Sequence, residues 1–234
     1  MDIRLINRNR WPARIALALA LVFLLTQAAL AGNPNPGVMP PQSHSRGATY
    51  GEWSAAWWQW AYSLPADQNP FFDDTGCANG ANGQDGPVWF LTGVINVSGA
   101  ADRTCTVPTG KALFFPLINV ECSTAEAPPF YGADEEELRA CARSFAIGDV
   151  FAEIDGRQVH NVADYLVESP LFSFTLPENN VLGLPTGEAD AVSNGYYLML
   201  APLSVGEHTV HFGGTYSDFG FTLDITYHLT VAPK

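Results

Sequence analysis

The side chains in this chain that could do chemistry are carboxylates and aromatic rings. With 24 acidic residues, some close pair is expected by chance, so position must select among them. Glu121 ends an apolar run and precedes Cys122, where loss of water would raise a carboxyl pKa. Asp73 and Asp74 sit together in a loop rich in Gly, Asn and Asp, NPFFDDTGCANGANGQDG, which lacks the regular ligand spacing of a calcium loop. Two such acids flanking an aromatic groove, about 5 to 10 Å apart, would suit glycoside hydrolysis. The histidines, at 44, 160, 208, 211 and 228, lack ligand spacing. His208 and His211 are three apart on a strand pattern and point to opposite faces. There is no G-x-S-x-G, S-x-x-K or H-E-x-x-H, so the sequence predicts neither a catalytic nucleophile, nor a metal, nor a cofactor.

The rings concentrate in Tyr50–Pro65, YGEWSAAWWQWAYSLP, which holds four of the six tryptophans. At helical spacing Trp53, Trp57, Trp60 and Leu64 form one stripe, and Pro65 ends the segment. So short a helix needs packing to persist, and the stripe is expected to lie on a β-sheet. Trp58 and Tyr62 are four apart and off that stripe, with Glu52 and Gln59 on the same polar side. These four residues are the expected ligand-binding set: open rings that stack on a sugar or another flat ligand, with polar groups beside them.

The elements that must position these residues lie in an exported chain. Arg4, Arg8, Arg10 and Arg14 precede the apolar run Ile15–Leu25, which is short for a membrane span, and Ala29-Leu30-Ala31 is a small-x-small cleavage pattern. Residues 1–31 therefore read as a signal peptide, residues 32–48, rich in Pro, Gly, Asn and Ser, as a flexible lead-in, and residues 49–234 as a single domain. No membrane span is expected after cleavage, and the location is secreted or periplasmic. The formal net charge is −13 and becomes more negative once the leader's arginines are lost. It would repel nucleic acid and anionic membranes, so neither is expected as a partner. Four cysteines in an exported chain suggest two disulfides, and nearest neighbours give Cys77–Cys105 and Cys122–Cys141.

Past the Trp segment the pattern is mostly strand. Val88–Val94 and Ala112–Val120 are apolar throughout and should be buried on both faces, with Pro116 marking a bulge or an edge. Arg103–Val107 reads as a short strand. Residues 134–147, DEEELRACARSFAI, form a second helix with Asp134 as N-cap, and Gly148 should stop it. Asp155-Gly156 marks a hairpin, and 171–176 and 195–203 are further strands. From Phe221 to Val231 apolar and polar residues alternate strictly. If this strand pairs antiparallel with Glu207–Gly213 so that Phe212 lies beside Leu223, His211 faces Asp224 and Glu207 faces His228. The fold class that follows is mainly β, an antiparallel β-sandwich of jelly-roll or immunoglobulin-like type with two accessory helices.

Taken together, EWSAAWWQWAYSLP, GPVWFLTG, CTVPTGKALFFPLINVECS, ELRACA, SPLFSFTLPENN and PLSVGEHTVHFGG resemble a family of exported prokaryotic proteins with a WSAxWWQW-type segment. The resemblance spans nearly all of the chain after the leader. It implies export and a shared fold and transfers no catalytic residue. The expected function is that of an exported, non-enzymatic binding or envelope-associated protein, whose partner is a small molecule, a glycan or an envelope component. The alternative is a carboxylate-dependent hydrolase of an extracellular or envelope polysaccharide, using Glu121, Asp73 and Asp74.

Overall fold

The computed structural model describes residues 35, 37–73, 76–95 and 98–233. The leader and Asp74 lie outside the described residues. The fold is mainly β, with helices α1 (Tyr50–Ser63) and α2 (Glu135–Arg143) and two five-stranded sheets. The first sheet holds β1 (Val88–Phe90), β3 (Ala112–Ser123), β8 (Gly187–Leu200) and β6 (Leu166–Glu168) in that order, and β7 (Phe172–Leu176) also pairs with β8. The second runs β2 (Gly99–Pro108), β10 (Phe221–Ala232), β9 (Gly206–Tyr216), β4 (Ile147–Ile154) and β5 (Arg157–Gln158).

Both sheets are mixed, where the sequence suggested antiparallel ones. β1 pairs parallel with β3, and β2 pairs parallel with β10. Hairpins force antiparallel pairing only between strands that follow each other within a sheet. Here β2 leaves for the second sheet between β1 and β3, which frees both pairs from that constraint. The sheets meet where the Phe115 and Phe212 rings lie 4.8 Å apart, and Phe212 stacks on Tyr227.

β3 is buried along both faces, as its unbroken apolar run demands. Pro116 sits at a bulge: Pro116 pairs with Tyr197 but Ile118 with Tyr196, so Leu117 is an extra residue. A Cβ on Gly195, which pairs with Asn119 beside the bulge, would come 2.6 Å from the Asn119 Cα, so only glycine allows this approach. β1 pairs only with Ala112–Phe114, and beyond Phe114 this edge of β3 has no strand neighbour among the described residues.

Several expected boundaries move. Within the stretch read as a flexible lead-in, Val38 is buried and bridges to Leu200, and the Met39 amide donates to the Met199 carbonyl at 2.8 Å. α2 ends at Arg143 rather than 147, because Ile147 already starts β4 and Gly148 lies inside that strand. The Asp155-Gly156 turn has φ of 50° and 74°, the left-handed pair that a two-residue hairpin needs. In the β9–β10 hairpin His211 faces Thr226 and Glu207 faces Thr230, two residues away from the expected register. The four-residue turn at 217–220 closes on the Tyr216–Phe221 pair and sets that register. The faces are unaffected, since a two-residue shift conserves them; Phe212 is buried, and His211 reaches Asp224 diagonally at 2.7 Å.

Candidate functional site

α1 begins with a capping box. Thr49 Oγ1 accepts from the Glu52 amide, and Glu52 Oε2 accepts from the Thr49 amide at 2.7 Å. Glu52 therefore holds the helix start. Gln59 is tied as well, its Nε2 donating to the Ser173 carbonyl at 2.8 Å. The covered face is wider than expected: it takes in Trp58 and Tyr62, and the open side narrows to the row of Glu52, Gln59 and Ser63. The first sheet takes the Trp58 and Tyr62 side, where Tyr62 packs on Phe174 and Trp58 Nε1 donates to Tyr197 Oη at 3.1 Å. The loop after the helix and the end of β1 cover the other side: Phe71 lies against Trp57, Phe90 of β1 against Trp60, and Trp60 Nε1 donates to the Asn82 carbonyl. Trp58 is 6% exposed and Tyr62 2%, so neither is an open platform. A helix apolar on nearly every side is one enclosed on both, and this one lies between sheet and loop.

Trp58 and Tyr62 nonetheless share a concavity, because with Trp57 they line a cavity of about 330 Å³. It runs along the edge of β3 that β1 leaves unpaired, from Pro116 to Glu121, and the end of β9 and the start of β10 supply Tyr216 and Leu223. Its outer wall is a row of rings: Phe130 and Phe145 stack at 5.2 Å, and Phe145 stacks on Phe219 at 5.3 Å. The bulge at Leu117 has its consequence here. Phe115 faces the second sheet, and in a regular strand Glu121, six residues on, would share that face. With the bulge, Glu121 turns toward α1 and accepts from Tyr62 Oη at 2.6 Å.

Glu121 is 3% exposed, and its Oε2 has no donor partner. The neighbouring group is the Glu126 carboxyl, also on the cavity wall, and two carboxyl groups satisfy each other only when one carries a proton. Burial, then the hydrogen bond and charge of Glu126, push the Glu121 acid well above the usual carboxylate range. Burial likewise pushes the Tyr62 phenol up, with the Glu121 charge adding to it. It lifts the Tyr197 phenol to about 12, against the hydrogen bonds that oxygen makes with Ser193, Asn119 and Trp58. Tyr216 also lines the cavity, and its buried hydroxyl has no partner.

Of the described acids marked in the sequence, Glu121 alone reaches this site. Asp73 folds into its own loop, where its carboxylate accepts from the Asn79 amide at 3.0 Å, and its carbonyl accepts from Arg103 Nε at 2.8 Å. Glu126 was not singled out. Its one signal is Ser123-Thr-Ala-Glu126, a capping-box spacing, and Ser123 Oγ does donate to Glu126 Oε2 at 2.9 Å. Tyr216, Phe130 and Phe219 carried no signal, since each sits at a strand end or in a turn. The cysteines join as Cys77–Cys105 and Cys122–Cys141, with Cα separations of 5.1 and 6.1 Å. The second bond ties α2 to β3 next to Glu121. His208, His211 and His228 each meet one aspartate, Asp155, Asp224 and Asp102, at separate places on the second sheet.

No family model matches the chain, and no curated protein matches it. Among solved structures it has slight similarity to the solution structure of amebosin, at 12% identity and a TM-score of 0.23, covering 63% of this chain and 100% of that one. The cysteine protease inhibitor EhICP2 from Entamoeba histolytica gives 14%, 0.22, 61% and 94% for the same measures. PbICP-C, from its complex with falcipain-2, gives 11%, 0.26, 63% and 100%. At these scores the likeness bears on neither fold family nor activity.

Proposed function

We propose that this is an exported, non-enzymatic binding protein that takes a small, largely apolar molecule into the cavity between α1, the open edge of β3 and the second sheet. One observation carries the reading: an aromatic cavity of ligand size whose wall holds a buried carboxyl, Glu121, and a buried hydroxyl, Tyr216 Oη, that has no hydrogen-bond partner. Unpartnered polar atoms in an apolar pocket are costly until something meets them, and a ligand that does so gains both contact area and hydrogen bonds. Two disulfides suit export, and no helix among the described residues is long and apolar enough to cross a membrane.

The hydrolase alternative has less support. A glycosidase needs its two acids on either side of a bond, about 5 to 10 Å apart, whereas Glu121 and Glu126 are within hydrogen-bonding reach of each other. A shared proton between adjacent acids leaves no room for a sugar ring or an attacking water between them. Asp73, the other described candidate, is not on the cavity wall.

The test is a thermal-shift screen of the protein after leader removal, using small aromatic and alicyclic molecules. A ligand at 100 times its Kd stabilises the native state by about 2.7 kcal/mol, a shift of several degrees. Hits whose shift disappears when Val94→Trp or Leu182→Trp, at partly buried wall positions, fills the cavity support the proposal. Shifts that survive both variants contradict it.

A further inference from the structure

The cavity wall is one-sided in its charge. Among the described residues it carries two carboxyl groups and no lysine, arginine or histidine. The cation beside it, Arg103, does not line it; that guanidinium donates to the carbonyls of Asp73, Thr92 and Gly93 and to Tyr227 Oη. With the acid pair, the wall carries the rings of Trp57, Trp58, Tyr62, Phe130, Phe145 and Tyr216, and one amide, Asn119. Aromatic faces and a carboxylate attract the same kind of ligand atom, a positive charge spread over an organic group, and they repel anions. A neutral ligand of the same shape would gain the burial and leave the charge of the pair unanswered.

Resting on the pocket reading above, we infer that the occupant is an organic cation, an ammonium or methylated ammonium group on an apolar body, with its charge against Glu121 and Glu126 and its body among the rings. The assignment excludes carboxylate ligands such as fatty acids and uronic sugars, because nothing on the wall would neutralise them. Two carboxyl groups in contact disfavour each other's ionisation, so the pair favours a single charge over two. Burial favours the protonated form of Glu121, which also accepts from Tyr62 Oη, and Glu126 is the more exposed partner. Tyr197 packs near the same pair from β8 and, like Tyr62, stays neutral.

The experiment compares three probes of nearly one shape by calorimetric titration of the leaderless protein: benzyltrimethylammonium, its uncharged isostere neopentylbenzene, and the anion phenylacetate. The expected result is that the cation binds at least about tenfold more tightly than the isostere, and phenylacetate not at all. Glu126→Gln, on a half-exposed side chain whose loss the fold should tolerate, is expected to reduce this preference to about onefold. Unchanged melting of the variant checks that it folds. Equal or tighter binding of neopentylbenzene would overturn the cation assignment and leave the pocket reading standing. Cation binding that Glu126→Gln leaves intact would also overturn it, by placing the probe elsewhere on this acidic surface. No binding of any probe would overturn both readings together.

Discussion

Burial keeps the Glu121 carboxyl protonated at pH values where an exposed glutamate has ionised, and that couples the stability of the fold to pH. In the unfolded chain the group titrates near 4.5; in the folded protein, enclosed by Tyr62, Tyr197 and Glu126, it titrates well above. Between those two values the folded state binds the extra proton, so stability falls as pH rises. The contribution is fully present below the unfolded value and is lost as pH climbs through the folded one, with a limiting slope of about 1.4 kcal/mol per pH unit. Glu121→Gln keeps the shape and removes the titration. The wild type should therefore lose more melting temperature than the variant between about pH 5 and about pH 8. Parallel curves for the two proteins would show that Glu121 is ionised in the fold. Glu121 was legible in the sequence as a carboxyl at the end of a buried strand. Its partner was not, because Glu126 lies in a turn whose path only the tertiary fold defines.

At the scale of the elements, α1 shows where periodicity misleads. Its stripe of Trp53, Trp57, Trp60 and Leu64 identified the helix and its limit at Pro65, and Thr49 with Glu52 marks its start. A stripe implies one covered face only if the opposite face is wet, and here the opposite face carries Trp58 and Tyr62 as well. The sheet takes that second face, and Trp53 is left only partly buried. The order of mutational costs should follow. Trp58→Ala is expected to destabilise by about 3 kcal/mol or more, in the range of Trp57→Ala, and Trp53→Ala by less. Denaturant unfolding of the three variants checks this, and a larger loss for Trp53→Ala would restore the one-sided helix. Pro116 did signal the bulge in β3. That the bulge would redirect Glu121 required the register with β8, which Gly195 permits and no local pattern discloses.

For the whole molecule, strand positions followed from alternation and apolar runs, and the pairing of strands did not. β1 with β3 and β2 with β10 are joined across long stretches of chain, so no turn records their direction. The cavity is hidden for the same reason, since its wall draws on residues from Trp57 to Leu223. It exists because β1 is short and leaves an edge of β3 uncovered between a helix and a second sheet. The most direct test that this space is a binding site is the indole N–H spectrum of ¹⁵N-labelled protein during titration with benzyltrimethylammonium, repeated with neopentylbenzene. Trp57 and Trp58 are on the wall, while Trp53 and Trp89 are not. Saturable movement of the Trp57 and Trp58 signals, with those of Trp53 and Trp89 nearly still, is the predicted result. Signals of Trp57 and Trp58 that stay fixed with both probes, or a response confined to Trp53 and Trp89, would contradict it.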